Sequence, residues 1–171
     1  MSTDNNAPLS NLRILERTAP SLPALPGLPQ QVVSALSALA LPAEKLCDKR
    51  IAVAVGSRGI AHIHILAKAL CDWLKSQGAR PFVFPAMGSH GGATAEGQRS
   101  VLTEYGVTPE FLGVDVQASM ETVPLGTTPE GFRIFTDRRA WESDGVVVLN
   151  RVKPHTDFSG RSAAWRWEGR E

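Results

Sequence analysis

Two histidines, each following an apolar segment, are the residues of this chain best suited to acid–base chemistry. His90 lies in the sequence Gly88-Ser-His-Gly-Gly92, and His155 follows the apolar segment Asp144–Leu149. An imidazole titrates near neutral pH, so it can take up and release a proton within one turnover. The pair predicts general acid–base catalysis. The alternative for His90 is a solvated histidine in a flexible loop, because glycine-rich turns are common between elements.

The loop around His90 also has the composition of an anion site. Gly88, Gly91 and Gly92 leave the backbone bare, and Ser89 adds a hydroxyl. Bare backbone lets a ligand approach main-chain amides, and the following Thr94 is typical of a helix N-terminus, where anions bind well. We therefore expect a small anion or a phosphate-bearing ligand here.

Three further residues extend this prediction to the neighbouring loops. Ser57 and Arg58 lie in the turn Gly56–Gly59, and Lys153 precedes Pro154. A guanidinium offers a planar fork to a carboxylate or a phosphate. The alternatives are a surface arginine in a turn for Arg58 and a solvated strand end for Lys153.

Metal binding is not predicted from the sequence. His62 and His64 are two residues apart in a predicted helix, so their side chains point to different sides. Cys47 and Cys71 lack metal-ligand spacing, and the helical pattern around Cys71 predicts that it is buried.

The elements that must position these loops predict an α/β fold. Apolar runs predict strands at Arg50–Val55, Arg80–Phe84 and Asp144–Leu149, each suited to burial on both faces of a parallel sheet. Helical patterns are predicted over residues 30–40, 61–75 and 94–105. Repeated strand-loop-helix units build a parallel-sheet core with helices on both faces, and the three polar loops should meet at one edge.

The segment between the second and third of these strands is less regular. It predicts short strands at Val114–Val116 and Thr122–Leu125, with Phe132–Phe135 pairing back. Asp137 is expected to cap a short helix that runs through Glu142.

The first 29 residues predict a proline-rich arm. Prolines recur every third residue with leucines between them, which is the period of a polyproline II helix. These prolines are Pro20, Pro23, Pro26 and Pro29. We expect the leucine edge to pack on this domain or on a neighbouring subunit. The alternative is recognition of the pattern by an aromatic-grooved module.

Composition narrows the range of partners. The chain has 171 residues and a net charge of +1, so no nucleic-acid partner is expected. It has no apolar run long enough to span a bilayer and no leader pattern at its start, so we expect no membrane partner and a cytoplasmic location.

Three motifs carry a resemblance to a known family. The segments Gly56–Ile60, Pro85–Gln98 and Asn150–Phe158 resemble the N-terminal domain of the nickel-dependent lactate racemase family, in the family's order and spacing. The resemblance covers roughly residues 28–160. It implies a 2-hydroxyacid racemase or epimerase whose cofactor is a nickel-pincer mononucleotide, tethered to a lysine in characterised members.

The resemblance also implies roles for individual residues. His90 and His155 would be the two acid–base groups, one on each side of the substrate, and Arg58 would hold substrate or cofactor. Ser57, Lys153 and the glycine-loop residues would help to bind them. Characterised members have an aspartate three residues before the arginine, whereas this chain has Val55, so the substrate is not fixed by the resemblance.

Residues 161–171 do not follow the family pattern. We expect this tail to result from truncation or a shifted reading frame, leaving residues 30–160 as an incomplete domain without the cofactor-tethering lysine segment. Such a chain is expected to be inactive alone. The alternatives are a nucleotide- or carboxylate-binding module without catalysis, or half of an enzyme completed by a separately encoded C-terminal half. The partners expected are a small-molecule 2-hydroxy acid and either a second copy of the chain or that C-terminal half.

Overall fold

The computed structural model describes residues 26–57 and 59–151, which form an α/β unit around a parallel sheet. Its strands, in chain order, are β1 (Arg50–Val55), β2 (Arg80–Pro85), β3 (Thr122–Thr127), β4 (Arg133–Asp137) and β5 (Gly145–Leu149). Its α-helices are α1 (Leu28–Ser37), α2 (Ile63–Ser76), α3 (Ala95–Glu104), α4 (Pro109–Leu112) and α5 (Arg138–Trp141). Short 3₁₀ turns lie at Ala43–Lys45 and Gly91–Ala93.

The sheet has the order β2-β1-β5, and both pairings are parallel. Arg50 pairs with Arg80, and Ile51 pairs with Gly145. The central strand β1 is therefore hydrogen-bonded on both sides, which suits its continuous apolar sequence. The predicted parallel α/β core is confirmed.

One face of the sheet carries the larger core. Val53, Val55 and Val83 are fully buried there. They pack in one cluster with apolar side chains of three helices, among them Leu74 of α2, Leu102 of α3 and Leu112 of α4. Helix α1 lies outside α2 and contacts it partly through a hydrogen bond from Trp73 Nε1 to Ser37 Oγ of 3.2 Å.

The other face carries a smaller cluster. Ala52, Ala54, Phe82 and Phe84 are buried on this side together with Ala140 of the short helix α5. Helices thus lie on both faces as predicted, but among the described residues the two layers are unequal. The small alanines of β1 alternate with its larger residues, and this alternation is how one strand serves two different layers.

Strands β3 and β4 form an antiparallel hairpin apart from the main sheet. Thr122 pairs with Asp137 and Thr127 pairs with Arg133, with a bulge between Pro124 and Gly126. Asp137 then caps α5 by accepting hydrogen bonds from the amides of Arg139 and Ala140, as predicted.

Some predicted bounds are wrong. The first helix ends at Ser37 rather than near residue 40, and it begins at Leu28, inside the predicted arm. Val116 makes a single parallel bridge to Val83 rather than a full strand, and α4 was not predicted. Residues 1–25, the rest of the predicted arm, lie outside the described residues.

None of the helices in residues 26–57 and 59–151 has both the length and the apolar character that crossing a membrane requires.

Candidate functional site

The carboxyl ends of the three parallel strands meet at one edge of the sheet. The turn after β1 begins at Gly56, the loop after β2 begins at Ala86, and Asn150 follows β5. Backbone bonds join these ends: the Ala86 amide donates to Val55 (2.8 Å) and the Gly56 amide donates to Leu149 (3.3 Å). In open parallel sheets this edge is where ligands bind.

Two predicted site residues from different loops are in direct contact at this edge. The Ser57 Oγ and the His90 Nδ1 are 2.5 Å apart, although the residues are 33 positions apart in sequence. Ser57 is buried, with 8% of its surface exposed, and His90 is half-buried. The serine hydroxyl thus faces the imidazole, and one ring nitrogen is occupied by the protein.

Helix α3 holds both of these loops. Near its start, the Gln98 Nε2 donates to the Gly88 carbonyl at 2.7 Å. Just past its end, the Tyr105 hydroxyl donates to the Ser57 carbonyl at 2.9 Å. Gln98 is only 4% exposed, so its amide needs the partner that the loop supplies. One helix therefore fixes the β1 turn and the β2 loop relative to each other.

The start of α3 also contacts the β2 loop backbone to backbone. A methyl group at Gly97 would lie 1.8 Å from the Gly91 carbonyl oxygen, and one at Gly91 would lie 2.3 Å from the Gly97 carbonyl carbon. Thr94 closes this turn because its hydroxyl donates to the Gly91 carbonyl and accepts from the Gly97 amide. Glycine is required at both positions by this close approach.

Two other glycines of the loop face open space. Gly88 and Gly92 have φ values of +61° and +66°, and a methyl group at either would meet no atom within 4 Å. Ser89, between Gly88 and His90, is exposed. This part of the loop therefore leaves room beside its backbone, as the predicted anion site needs.

The third strand end contacts the first through Gly56. A methyl group at Gly56 would lie 2.7 Å from the Asn150 Oδ1, so the absence of a side chain lets Asn150 approach the β1 turn. Asn150 is exposed, and its Oδ1 accepts a hydrogen bond from the Arg151 amide at 2.8 Å.

Three predicted site residues lie outside the described residues. These are Arg58, Lys153 and His155. Ser57, Gly88, Ser89, His90, Gly91 and Gly92 are described, and all lie at the carboxyl edge of the sheet. Their roles in binding or catalysis stay predictions.

Sequence reasoning missed the two side chains that hold the site. Gln98 carries a weak signal, since it follows the glycine loop within the first helical turn. Tyr105 carries none, because its partner is a backbone carbonyl 48 residues away.

The other reactive groups of the described chain lie elsewhere. Burial raises the pKa of the Cys71 thiol to about 12, so this cysteine of the core cluster is not a nucleophile at neutral pH. Among residues 26–57 and 59–151, no three His, Cys, Asp or Glu side chains are grouped closely enough to hold a metal ion. His64 packs edge-on against the Phe111 ring, 5.4 Å between centroids.

Residues 31–163 match the family model described as the lactate racemase N-terminal domain. No curated protein and no solved structure was found to match the chain.

Proposed function

Since the chain belongs to the lactate racemase N-terminal domain family, we propose that it provides an acid–base histidine and an anion-binding loop for racemising or epimerising a 2-hydroxy acid. The observation that carries the proposal is the Ser57–His90 contact at the carboxyl edge of the sheet. It presents an imidazole, with one nitrogen already occupied, beside the open glycine backbone of the same loop.

His90 is the proposed acid–base group for one face of the substrate. Its Nδ1 is bonded to Ser57, and none of the described residues bonds its Nε2. Nε2 is therefore the atom that would take the hydroxyl proton of one enantiomer and, in the reverse direction of the reaction, donate the proton that forms the same enantiomer.

Racemisation also needs a group on the opposite face. We propose His155 for this role, with Arg58 and Lys153 holding the carboxylate or the cofactor. These residues lie outside the described ranges, so this part of the proposal rests on the family motifs. The substrate class, a 2-hydroxy acid, has the same basis.

The β2 loop would hold the phosphate of the nickel-pincer mononucleotide that the family implies. When bound, that cofactor accepts the α-hydride of the substrate. We propose the backbone at Gly88 and Gly92 for this phosphate, because both residues are exposed and a methyl group added at either would meet no atom within 4 Å. The described residues include no cluster of metal ligands, so we assign this part of the chain to the substrate and the nucleotide, not to the metal.

The reaction is tested in a full-length member of the family. One enantiomer of lactate is incubated with the enzyme in D₂O, and the product is resolved by chiral chromatography and mass spectrometry. We expect the opposite enantiomer to keep its α-hydrogen, because a hydride that moves within the site does not exchange with solvent. Replacing the histidine at the position of His90 with glutamine should lower kcat by a factor of about 10² or more.

Two results would contradict the proposal. The first is an unchanged kcat in the glutamine variant, and the second is deuterium at the α-carbon of the product. Alanine in place of the serine at the position of Ser100, which is exposed on α3 and whose hydroxyl donates to the Glu96 carbonyl, is the control and should leave kcat unchanged.

A further inference from the structure

We infer that Ser57 is a positioning residue that fixes the tautomer of His90, and that Tyr105 supports it; the inference rests on the proposed role of His90. The starting observation is that the Ser57 hydroxyl occupies the His90 Nδ1 at 2.5 Å. A hydroxyl can donate or accept, so the function of the imidazole decides which way this bond runs.

The proposed acid–base role of His90 determines which group donates in the Ser57–His90 hydrogen bond. A base at Nε2 needs a lone pair there, so the ring hydrogen must be on Nδ1 and Ser57 must accept it. After Nε2 has taken a proton, both ring nitrogens carry hydrogen and Ser57 still accepts from Nδ1. The hydrogen bond thus keeps one direction in both protonation states, and the ring does not need to turn during the reaction.

The buried position of Ser57 strengthens its hydrogen bond to His90. Only 8% of the Ser57 surface is exposed, so little water competes for the Nδ1 position. A hydrogen bond in such surroundings is stronger than in water, and it restrains the orientation of the ring and therefore the position of Nε2.

Tyr105 fixes the position of Ser57 from the other side. Its hydroxyl donates to the Ser57 carbonyl at 2.9 Å, and it lies at the end of the helix whose start holds Gly88. Removing the Tyr105 hydroxyl should loosen the β1 turn without touching His90. We expect a smaller effect of the same kind as removal of the Ser57 hydroxyl.

The test is nitrogen NMR of the imidazoles in the full chain, at a pH where the rings are neutral. The His90 signals are identified by their loss in His90→Gln. In the natural sequence we expect Nδ1 to carry the hydrogen. In Ser57→Ala the signals should shift to those of a mixed population of tautomers, and in Tyr105→Phe they should shift part of the way.

The experiment includes a control variant, and two results would overturn the inference. Ser100→Ala removes an exposed hydroxyl of α3 and should leave the His90 tautomer unchanged. Hydrogen on Nε2 in the natural sequence would overturn the inference, and so would an unchanged tautomer in both Ser57→Ala and Tyr105→Phe. Should Ser57→Ala not fold, Tyr105→Phe decides alone, with an unchanged tautomer counting against the inference.

The NMR experiment and the racemisation assay can fail independently of each other. A fixed Nδ1–H tautomer with no effect of the histidine on racemisation would reject the proposed function and leave the positioning contact intact. An active enzyme whose histidine shows no dependence on Ser57 would reject only the positioning role.

Discussion

The β2 loop (residues 86–94) and the β3–β4 hairpin (residues 122–137) are both glycine-containing connections, but they are held very differently. The loop contacts α3 through the Gly91–Gly97 approach and through buried Gln98. Most of the hairpin is exposed, including 72% of the Phe132 surface. The proposed acid–base residue, His90, lies in the β2 loop, which is the segment held by these contacts.

The difference shows what positions a polar loop. Apolar burial is non-directional, so it cannot by itself aim an imidazole. In the β2 loop the direction comes from hydrogen bonds of defined geometry and from a backbone approach that only glycine allows. The hairpin has its own backbone ladder, and its side-chain hydrogen bonds run within it or to the neighbouring helix α5, as from the Arg139 amide to Asp137 Oδ1 at 2.8 Å.

The largest difference in the free energy of unfolding is expected between alanine substitutions at two glycines, one in α3 and one in the hairpin. Gly97 lies within α3, where alanine would ordinarily stabilise a helix by about 1 kcal/mol. Here the added methyl would lie 1.8 Å from the Gly91 carbonyl oxygen, so Gly97→Ala should instead lower the free energy of unfolding by about 4 kcal/mol or more. Chemical denaturation measures the change.

The matched hairpin variant is Gly131→Ala. Gly131 has a φ of +91° but no atom within 4 Å of an added methyl, so only backbone strain of about 1–2 kcal/mol is expected. Equal losses in the two variants would contradict the view that the loop depends on close backbone contact.

The next contrast compares two apolar side chains. Leu102 on α3 is fully buried, whereas Phe132 in the hairpin is mostly exposed. Leu102→Ala should cost about 3 kcal/mol through lost burial and the cavity left behind. Phe132→Ala should change stability by less than about 0.5 kcal/mol. Thermal or chemical denaturation of both variants checks this, and a large loss in Phe132→Ala would show that the hairpin is covered in solution.

A smaller effect is expected at Gln98. Replacing it with methionine keeps the volume but leaves the Gly88 carbonyl without its donor, which should cost about 1–2 kcal/mol. Thr128→Val in the hairpin removes the 3.2 Å hydrogen bond that the Thr128 hydroxyl accepts from the Phe132 amide. It should lower the free energy of unfolding by less, because Phe132 is exposed. Hydrogen exchange should show faster opening of the β2 loop in Gln98→Met only.

The smallest effect concerns pH and the opposite edge of the sheet. The Arg50 amide, donating to the Asp144 carboxylate at 2.7 Å, lowers the pKa of that group, and Lys49 lowers it further. The pKa of Asp144 is lower in the folded protein than the value of about 3.9 in the unfolded chain, so the ionised carboxylate stabilises the fold at pH values above about 3.9. This stabilisation is lost as the pH falls through the folded pKa.

Asp144→Asn should therefore destabilise the fold at neutral pH, with the difference shrinking in acid. Denaturation midpoints across this pH range measure it. Glu130→Gln, an exposed change in the hairpin turn, is the control and should shift no midpoint. A constant difference at all pH values would show that the charge of Asp144 is not involved.

The sequence was sufficient for the parallel sheet and for placing Ser57 and His90 at its carboxyl edge, whereas the roles of these two residues stay predictions. The apolar runs at β1, β2 and β5 predicted the parallel strands because each is suited to burial on two faces. It was not sufficient for Tyr105 and Gln98, whose partners are backbone carbonyls, since a carbonyl has no residue-specific signature. The end of α1 and the single bridge at Val116 were missed because helix fraying and edge pairing depend on tertiary contacts.

The most direct test is whether the chain binds a 2-hydroxy acid at His90. Lactate is added to the full chain while the imidazole signals are followed, with propanoate, which lacks the hydroxyl, as the matched ligand. We expect a saturable change of the His90 signals with lactate, a weaker one with propanoate, and no saturable lactate binding by calorimetry in His90→Gln. No change with lactate, or an equal change with both acids, would contradict it.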